Sequence, residues 1–426
     1  MEEVKLKAII LSTLLLSIVV SFNNVTDAKA YASAPSFAPC KPDLCSSFME
    51  HYQTIINVSD YDGESDTERI QKALDDVPPE GAIVFIPQGT WEACNLTARS
   101  KTILIGTNKT IIKRPVNTTL PFVSFTNQTD FAVASIIFDG QNILQATGIS
   151  ITSSTQFEII NNTFVDISRN AIHINGVCEN FKIEKNRFTR CNIATILLFG
   201  SPGERYITNF TITDNYLTDG TDNGKIGVAF SANGTIKNNT VLNCEYGIAT
   251  RCVSHIILQD NRIEDCISYA IYLGTQPGDP GSDNIRIIQS YIANCSIGIS
   301  RYYGSHPICN ITVQNNTLLY NEQWDIYTDF PATFINNTIT SAEKLKILDT
   351  NTHFIGNRDI EDQPIMPGDI DDNLLIDMRD IGIVARLFGS DSSSHNWNPS
   401  ADIIGDDVID MKDIAFITSK YGSQYT

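Results

Sequence analysis

The chain has 426 residues, with 49 acidic against 30 basic side chains, a formal net charge of −19 and 42% hydrophobic residues. A surface that negative repels phosphate backbones, which argues against nucleic acid as a partner. The six histidines (His51, His173, His255, His306, His353 and His395) are scattered and form no metal-type cluster.

At the N-terminus, Lys5 and Lys7 precede an apolar run over 8–20, and Ala28 and Ala30 supply small residues at a cleavage point. This is the layout of a signal peptide, residues 1–30, and the run falls short of the roughly 20 residues that span a bilayer. No second hydrophobic segment follows, so the expectation is an exported protein, secreted or at the cell surface, with no transmembrane segment after signal removal. Residues 31–81 form an N-terminal segment in which Cys40 and Cys45 can close a small loop, followed by a short capping helix. Asp66 or Thr67 is expected to cap that helix, with Ile70, Ala73 and Leu74 as its apolar stripe.

Residues 82–358 carry the dominant signal, an eight-residue pattern that reads apolar-x-apolar-x-x-Asn-x-apolar. Copies begin at Phe157, Phe181, Phe210, Gly234, Ile256, Ile285, Ile311 and Ala332, at intervals of 24, 29, 24, 22, 29, 26 and 21 residues. The sixth position is Asn162, Asn186, Asn215, Asn239, Asn261, Asn316 or Asn337, and Ser290 in the remaining copy. A degenerate ninth copy at Phe131 has Ile136 there. Alternating apolar positions are the period of a strand with one buried face. A unit this short cannot hold the four strands of a propeller blade, and no segment between copies suits a crossover helix. The chain therefore winds into a solenoid with neighbouring coils about 4.8 Å apart. Asparagine at the turn is expected to take the left-handed backbone and to hydrogen-bond along the column. A third apolar strand follows each copy, as in Ala171-Ile172-His173-Ile174, Gly247-Ile248-Ala249-Thr250, Ala270-Ile271-Tyr272-Leu273 and Gly298-Ile299-Ser300-Arg301. Three strands per coil predict an all-β fold of three parallel sheets with a triangular cross-section. An antiparallel sandwich would instead need hairpin turns every 8–12 residues and no asparagine column.

Over about residues 60–358 this pattern resembles the right-handed parallel β-helix of the pectin-lyase-like superfamily, specifically its NosD-type, carbohydrate-binding and sugar-hydrolase repeats. The entry segment agrees: Asp62-Gly63-Glu64-Ser65-Asp66-Thr67 leads into the helix, then Gly81-Ala82-Ile83-Val84-Phe85-Ile86-Pro87-Gln88-Gly89-Thr90-Trp91 opens the first strand. The resemblance implies a helix covering the open end of the solenoid, whose core and strand edges would otherwise be exposed. The copper-maturation relatives imply metal handling, but no His or Met cluster supports it.

Cys191, Cys244, Cys266 and Cys295 each lie five residues after the turn position of their coil. Stacked on parallel coils their Cβ atoms should sit about 4.8 Å apart, longer than the ~3.8 Å of a disulfide, so they read as a buried ladder of small apolar side chains. Cys94, Cys178, Cys252 and Cys309 are left unassigned. Thirteen Asn-x-Ser/Thr sequons follow Ala30, among them Asn57, Asn95, Asn117, Asn209 and Asn294. They are open to glycosylation in a host that performs it, and open equally to being by-products of an Asn- and Thr-rich repeat.

After a linker, 359–368, residues 369–426 form an acidic module: residues 359–426 hold 14 acidic and 4 basic side chains. Two segments match at a spacing of 33 residues, 369–380 and 402–413, each running into a helix. Oxygen ligands at loop positions 1, 3, 5, 9 and 12, with a backbone carbonyl at 7, wrap a calcium ion. In the first loop these are Asp369, Asp371, Asn373, Asp377 and Asp380, with Leu375 giving the carbonyl; the second offers Asp402, Asp406, Asp410 and Asp413. Aspartate at position 12, and no helix before the loop, resembles the duplicated loop–helix of a dockerin, which implies a cohesin-like partner. The module can instead join another part of a surface assembly or cover the end of the solenoid. Position 6, usually Gly, is Leu374 and Asp407, and position 3 of the second loop is Ile404, so a competent first site and a weakened second one are expected.

Catalysis leaves a fainter trace. The paired aspartates, Gly-His-Gly and Arg-x-Lys that mark polygalacturonases do not occur, and inverting hydrolysis needs two carboxylates. Long loops over 199–209, 274–284 and 302–310 overhang one face near Arg251, Tyr272 and Tyr302, with Glu204, Asp279 and His306 as polar groups. Arg251, Tyr272, Tyr302 and His306 are the candidate substrate-binding residues; Glu245, Asp222 and Asp279 are weak catalytic candidates, with Asp219 beside the first two. The leading expectation is an exported β-helix that binds polysaccharide or glycan through outward aromatics and is attached through the calcium module. The alternatives are a polysaccharide lyase or glycoside hydrolase working in that groove, and a non-catalytic structural or adhesion solenoid.

Overall fold

The computed structural model describes residues 52–424 apart from 117, 201–206, 221–223, 275–279 and 303–306. The expected signal peptide, Cys40, Cys45, Glu204, Asp222, Asp279 and His306 lie outside the described residues. Helix α1 (Asp66–Asp75) buries Ile70, Ala73 and Leu74 as its stripe requires. Its cap is Ser65, whose hydroxyl accepts from the Glu68 N–H, and not Asp66 or Thr67. Asp66 is then free to accept from the Glu92 N–H (2.9 Å), while Gln71 bonds both backbone groups of Thr97, which ties the helix to the first coils.

Among the described residues, the named strands of successive coils pair in parallel, in a solenoid of about 12 turns. Pairings recur in three series. One stacks Phe157, Phe181, Phe210, Gly234 and Ile256. Another stacks Thr163, Arg187, Tyr216, Thr240 and Arg262. The third-strand series stacks Ile172, Ile196, Ile226, Ile248, Ile271, Ile299 and Ile326. In the middle coils, strands Gly224–Lys237, Thr240–Gln259 and Arg262–Gly274 carry pairing around the corners, so these series merge into one continuous sheet.

The asparagine column runs from Asn162 to Asn357, with Ser290 at one rung. Each buried amide accepts the N–H of the preceding rung, as Asn239 does from Asn215 (3.0 Å), and donates to a strand carbonyl, as Asn239 does to Ile212 (2.9 Å). The left-handed backbone, however, belongs to the residue before each rung: Asn161, Lys185, Asp214, Asn238, Asp260, Gln289, Asn315, Asn336 and Gly356 all have positive φ. That residue turns the corner, and the next side chain is thereby aimed into the core. Ten of the thirteen sequon asparagines have positive φ, four of them (Asn161, Asn238, Asn315 and Asn336) directly before a rung, so backbone geometry accounts for most of them.

Inside, Phe131, Phe157, Phe181 and Phe210 stack from coil to coil at centroid spacings of 4.9, 4.6 and 5.6 Å, close to the coil rise, and Phe125 stacks on Phe131 at 3.9 Å. Gly234 ends the stack because a Cβ there would run into the Phe210 ring. Cys191, Cys244, Cys266 and Cys295 are buried as expected, but the ladder has a gap at Gly220, which registers one residue beyond the Asp219–Asn243 level. Lys225 fills it: its buried ammonium donates to the Cys191 carbonyl at 3.0 Å, and burial lowers its pKa.

Residues after 358 fold back on the last coil. Asp359 accepts from Glu361 and Gln363 in a tight turn, and Ile365, buried, donates to the Asn357 carbonyl. Helices α2 (Met378–Leu387) and α3 (Met411–Ser419) each start with a capping box, Asp377 with Asp380 and Asp410 with Asp413. Ile376, Val384, Ile404, Phe416 and Ile417 belong to the same apolar core as the solenoid, and Lys420 donates to the Thr350 and Thr352 carbonyls (2.8 and 2.6 Å). The acidic module thus packs on the C-terminal end of the solenoid. Among the described residues, no helix is long and apolar enough to cross a membrane.

Candidate functional site

The third-strand series aligns the backbones of Arg251, Tyr272 and Tyr302. Arg251 registers with Gly274 and Gly274 with Tyr302, so Arg251 and Tyr302 occupy one position two coils apart. Tyr272, two residues before Gly274, shares its side of the strand. The Arg251 guanidinium lies over the Phe230 ring at 5.1 Å. Tyr246 and Tyr269, which sequence reading passed over, register directly and stack at 5.9 Å and 9°. Tyr272 meets both edge-on, at 5.3 and 6.1 Å. The result is a half-buried patch of three tyrosines, with half-buried Glu245 immediately before Tyr246. Asp219, exposed, accepts from the Asn243 side chain (3.2 Å).

Further along the same series Ile297 registers with Trp324 and Tyr327 with Lys346. The Lys346 ammonium sits 5.4 Å from the Trp324 ring and 5.6 Å from that of Tyr327. A register count from Tyr269 through Ile297 would have found Trp324. It borders a cleft of about 860 Å³ between the last coils and the acidic module, lined also by Trp397, Ile365, Asp369, Asp402 and Asp407.

The two acidic loops share a backbone. Asp369 accepts from Asn373 and Leu374 as Asp402 accepts from Asp406 and Asp407, and Leu374 and Asp407 hold the left-handed turn (φ 66° and 64°) without glycine. Burial raises the pKa of Asp369, Asp402 and Asp413. Carboxylate oxygens of Asp369, Asp371 and Asp380 all come within 4.8 Å of one another. Two ligands of an ion bound at about 2.4 Å can be no farther apart than this, and these three carboxylates meet that limit. The second loop differs. Ile404 is buried in the core, and the Lys412 ammonium bonds Asp406 (2.5 Å) and lies 3.6 Å from Asp410, giving those carboxylates a cation from the chain itself.

A family model described as "Right handed beta helix region" matches residues 147–318. No curated protein sequence matches. Among solved structures, the tailspike protein of E. coli bacteriophage HK620, solved with a pentasaccharide, is similar with TM-score 0.57 and 11% identity, covering 74% of this chain and 67% of that one. PfbA, a surface adhesin of Streptococcus pneumoniae, gives 0.54 and 16% over 72% and 90%. A hyperthermoactive exopolygalacturonase from Thermotoga maritima gives 0.52 and 11% over 74% and 93%. At these identities the likeness is one of fold: the chain is a right-handed parallel β-helix.

Proposed function

We propose that this protein is an exported β-helix that binds a polysaccharide or glycan on its third-strand face, with the acidic module as a calcium-stabilised attachment and end cap. The observation that carries the reading is the contiguous patch of Tyr246, Tyr269 and Tyr272, continued by Trp324 and Tyr327 on the same series. Aromatic rings beside polar groups on a shallow sheet suit the apolar faces and hydroxyls of sugars. Tyr246 and Tyr269 each have one ring face against the other, so sugar would meet their remaining faces and edges together with Tyr272 and Arg251. Two of its structural neighbours are a tailspike solved with a pentasaccharide and a surface adhesin, which supports this reading. Calcium would be held by Asp369, Asp371, Asn373, Asp377, Asp380 and the Leu375 carbonyl, and the dockerin-like layout points to a cohesin-like partner for the module's exposed side.

A panel of neutral and acidic polysaccharides tests this. Retention without product, lost in the Tyr246→Ala/Tyr272→Ala double variant, is the expected result. Release of reducing or unsaturated ends, lost in Glu245→Gln, would replace binding by catalysis. Failure of every glycan to be retained would leave an adhesion or structural solenoid.

A further inference from the structure

We propose that Cys244 and Cys266 form a disulfide that staples two adjacent coils in the oxidised protein. The two residues are direct partners in the parallel pairing. Strand neighbours at ~4.8 Å fall inside the 4.4–6.8 Å range of Cα separations that disulfides occupy. The Cβ spacing of an ideal ladder argued against bridging, but the side chains turn toward each other, and the two Sγ atoms lie 3.2 Å apart. That is inside the 3.5–4.0 Å at which non-bonded carbon atoms touch. The register also breaks immediately after this pair: Cys244 opposes Cys266, whereas Tyr246 opposes Tyr269. An irregular backbone at this point can yield the remaining approach without disturbing the regular coils on either side.

The column offers one alternative partner. Cys295 lies on the next coil, and its sulfur accepts from the Cys266 N–H at 3.4 Å. All three thiols are buried, at 2% exposure or less, whereas Cys309 is exposed. Bridging removes two protons and two electrons from Cys244 and Cys266 and forms one S–S bond. An external disulfide such as oxidised glutathione accepts the electrons, its own S–S bond breaks and it leaves as two thiols. Hydrogen bonding to the Cys244 and Cys295 thiols, then burial, holds the Cys266 thiol well above its ordinary pKa. Exchange therefore waits on transient opening of the coil, and the finished bridge is shielded from reductant. The inference is independent of what the outer face binds.

The full chain is incubated with oxidised glutathione at a temperature just below its melting transition, alkylated under denaturing conditions and mapped by peptide mass spectrometry. A peptide pair joined through Cys244 and Cys266 is expected, about 2 Da lighter than the two free peptides, with Cys309 unlinked to either. The oxidised protein should melt several degrees above the reduced one, and Cys266→Ala should lose both the link and the shift. Complete alkylation of Cys244 and Cys266 after oxidation, or a dominant Cys266–Cys295 link, would overturn the assignment. The peptide map is read on the wild-type chain, so the test stands even if the alanine variant folds poorly.

Discussion

Replacing Asn239 by alanine is expected to open the solenoid locally, and the magnitude follows from its bonds. The Asn239 Oδ1 accepts the Asn215 N–H and the Asn215 side-chain amide, both at 3.0 Å, while Nδ2 donates to the Ile212 carbonyl and to Asn261 Oδ1. Alanine leaves the buried Asn215 N–H without its acceptor, which costs about 1–3 kcal/mol, and removes further bonds worth about 0.5–1.5 kcal/mol each. The sum over the four bonds is about 2.5–7.5 kcal/mol. The chain supplies its own control at Ser290, whose hydroxyl accepts the Asn261 N–H at 3.2 Å. Asn239→Ser should keep that one acceptor and lose only the other three bonds, about 1.5–4.5 kcal/mol. A stacked array need not unfold in one step, so the readout is hydrogen exchange of peptides spanning 207–218 and 234–245 together with thermal melting. The reasoning fails if alanine leaves local protection unchanged, or if serine is as damaging as alanine.

Three further outcomes are expected. Phe181→Ala removes a ring stacked on Phe157 and Phe210 and should cost about 3–5 kcal/mol, seen as a lower melting temperature, whereas Phe181→Leu should recover most of it. Calcium titration by calorimetry should give one tight site, abolished by Asp369→Ala, and Lys412→Gln should strengthen a second; two equal tight sites in the wild type would contradict the loop comparison. Burial raises the pKa of Asp325 above the ordinary carboxylate value. Its proton is then held more tightly folded than unfolded, so its stabilising share is full below the ordinary carboxylate pKa and declines as pH rises through the raised one. The melting temperature of wild type minus that of Asp325→Asn should therefore fall between pH 4 and pH 7 (about those limits), and a flat difference would refute this.

The coil was legible because two separate signals, the two-residue apolar period and the recurrent asparagine, demand the same stacking. The assignment of the left-handed position was off by one residue, since Asn161, Lys185 and Gln289 share only a φ and not a side-chain type. The Asn357 rung escaped notice because Thr352 and Asp359 stand where the pattern has apolar residues. Lys225 plugging the cysteine column could not be read from spacing, because its ammonium reaches a level that its own backbone does not occupy. The carboxylates of Asp369, Asp371 and Asp380 lie close together, since a duplicated loop carries its backbone geometry in its spacing. The tyrosine patch was found only in part: Tyr272 has an evident strand around it, whereas Tyr246 and Tyr269 join it through a register shift that no linear pattern reveals.

Hydrogen-exchange footprinting of the full chain with a retained glycan tests the functional reading most directly. Added protection is predicted in the peptides that carry Tyr246 to Arg251 and Tyr269 to Gly274, on adjacent coils of one face. Protection confined to the opposite series around Phe157, Phe181 and Phe210, or no change at a saturating concentration, would contradict it.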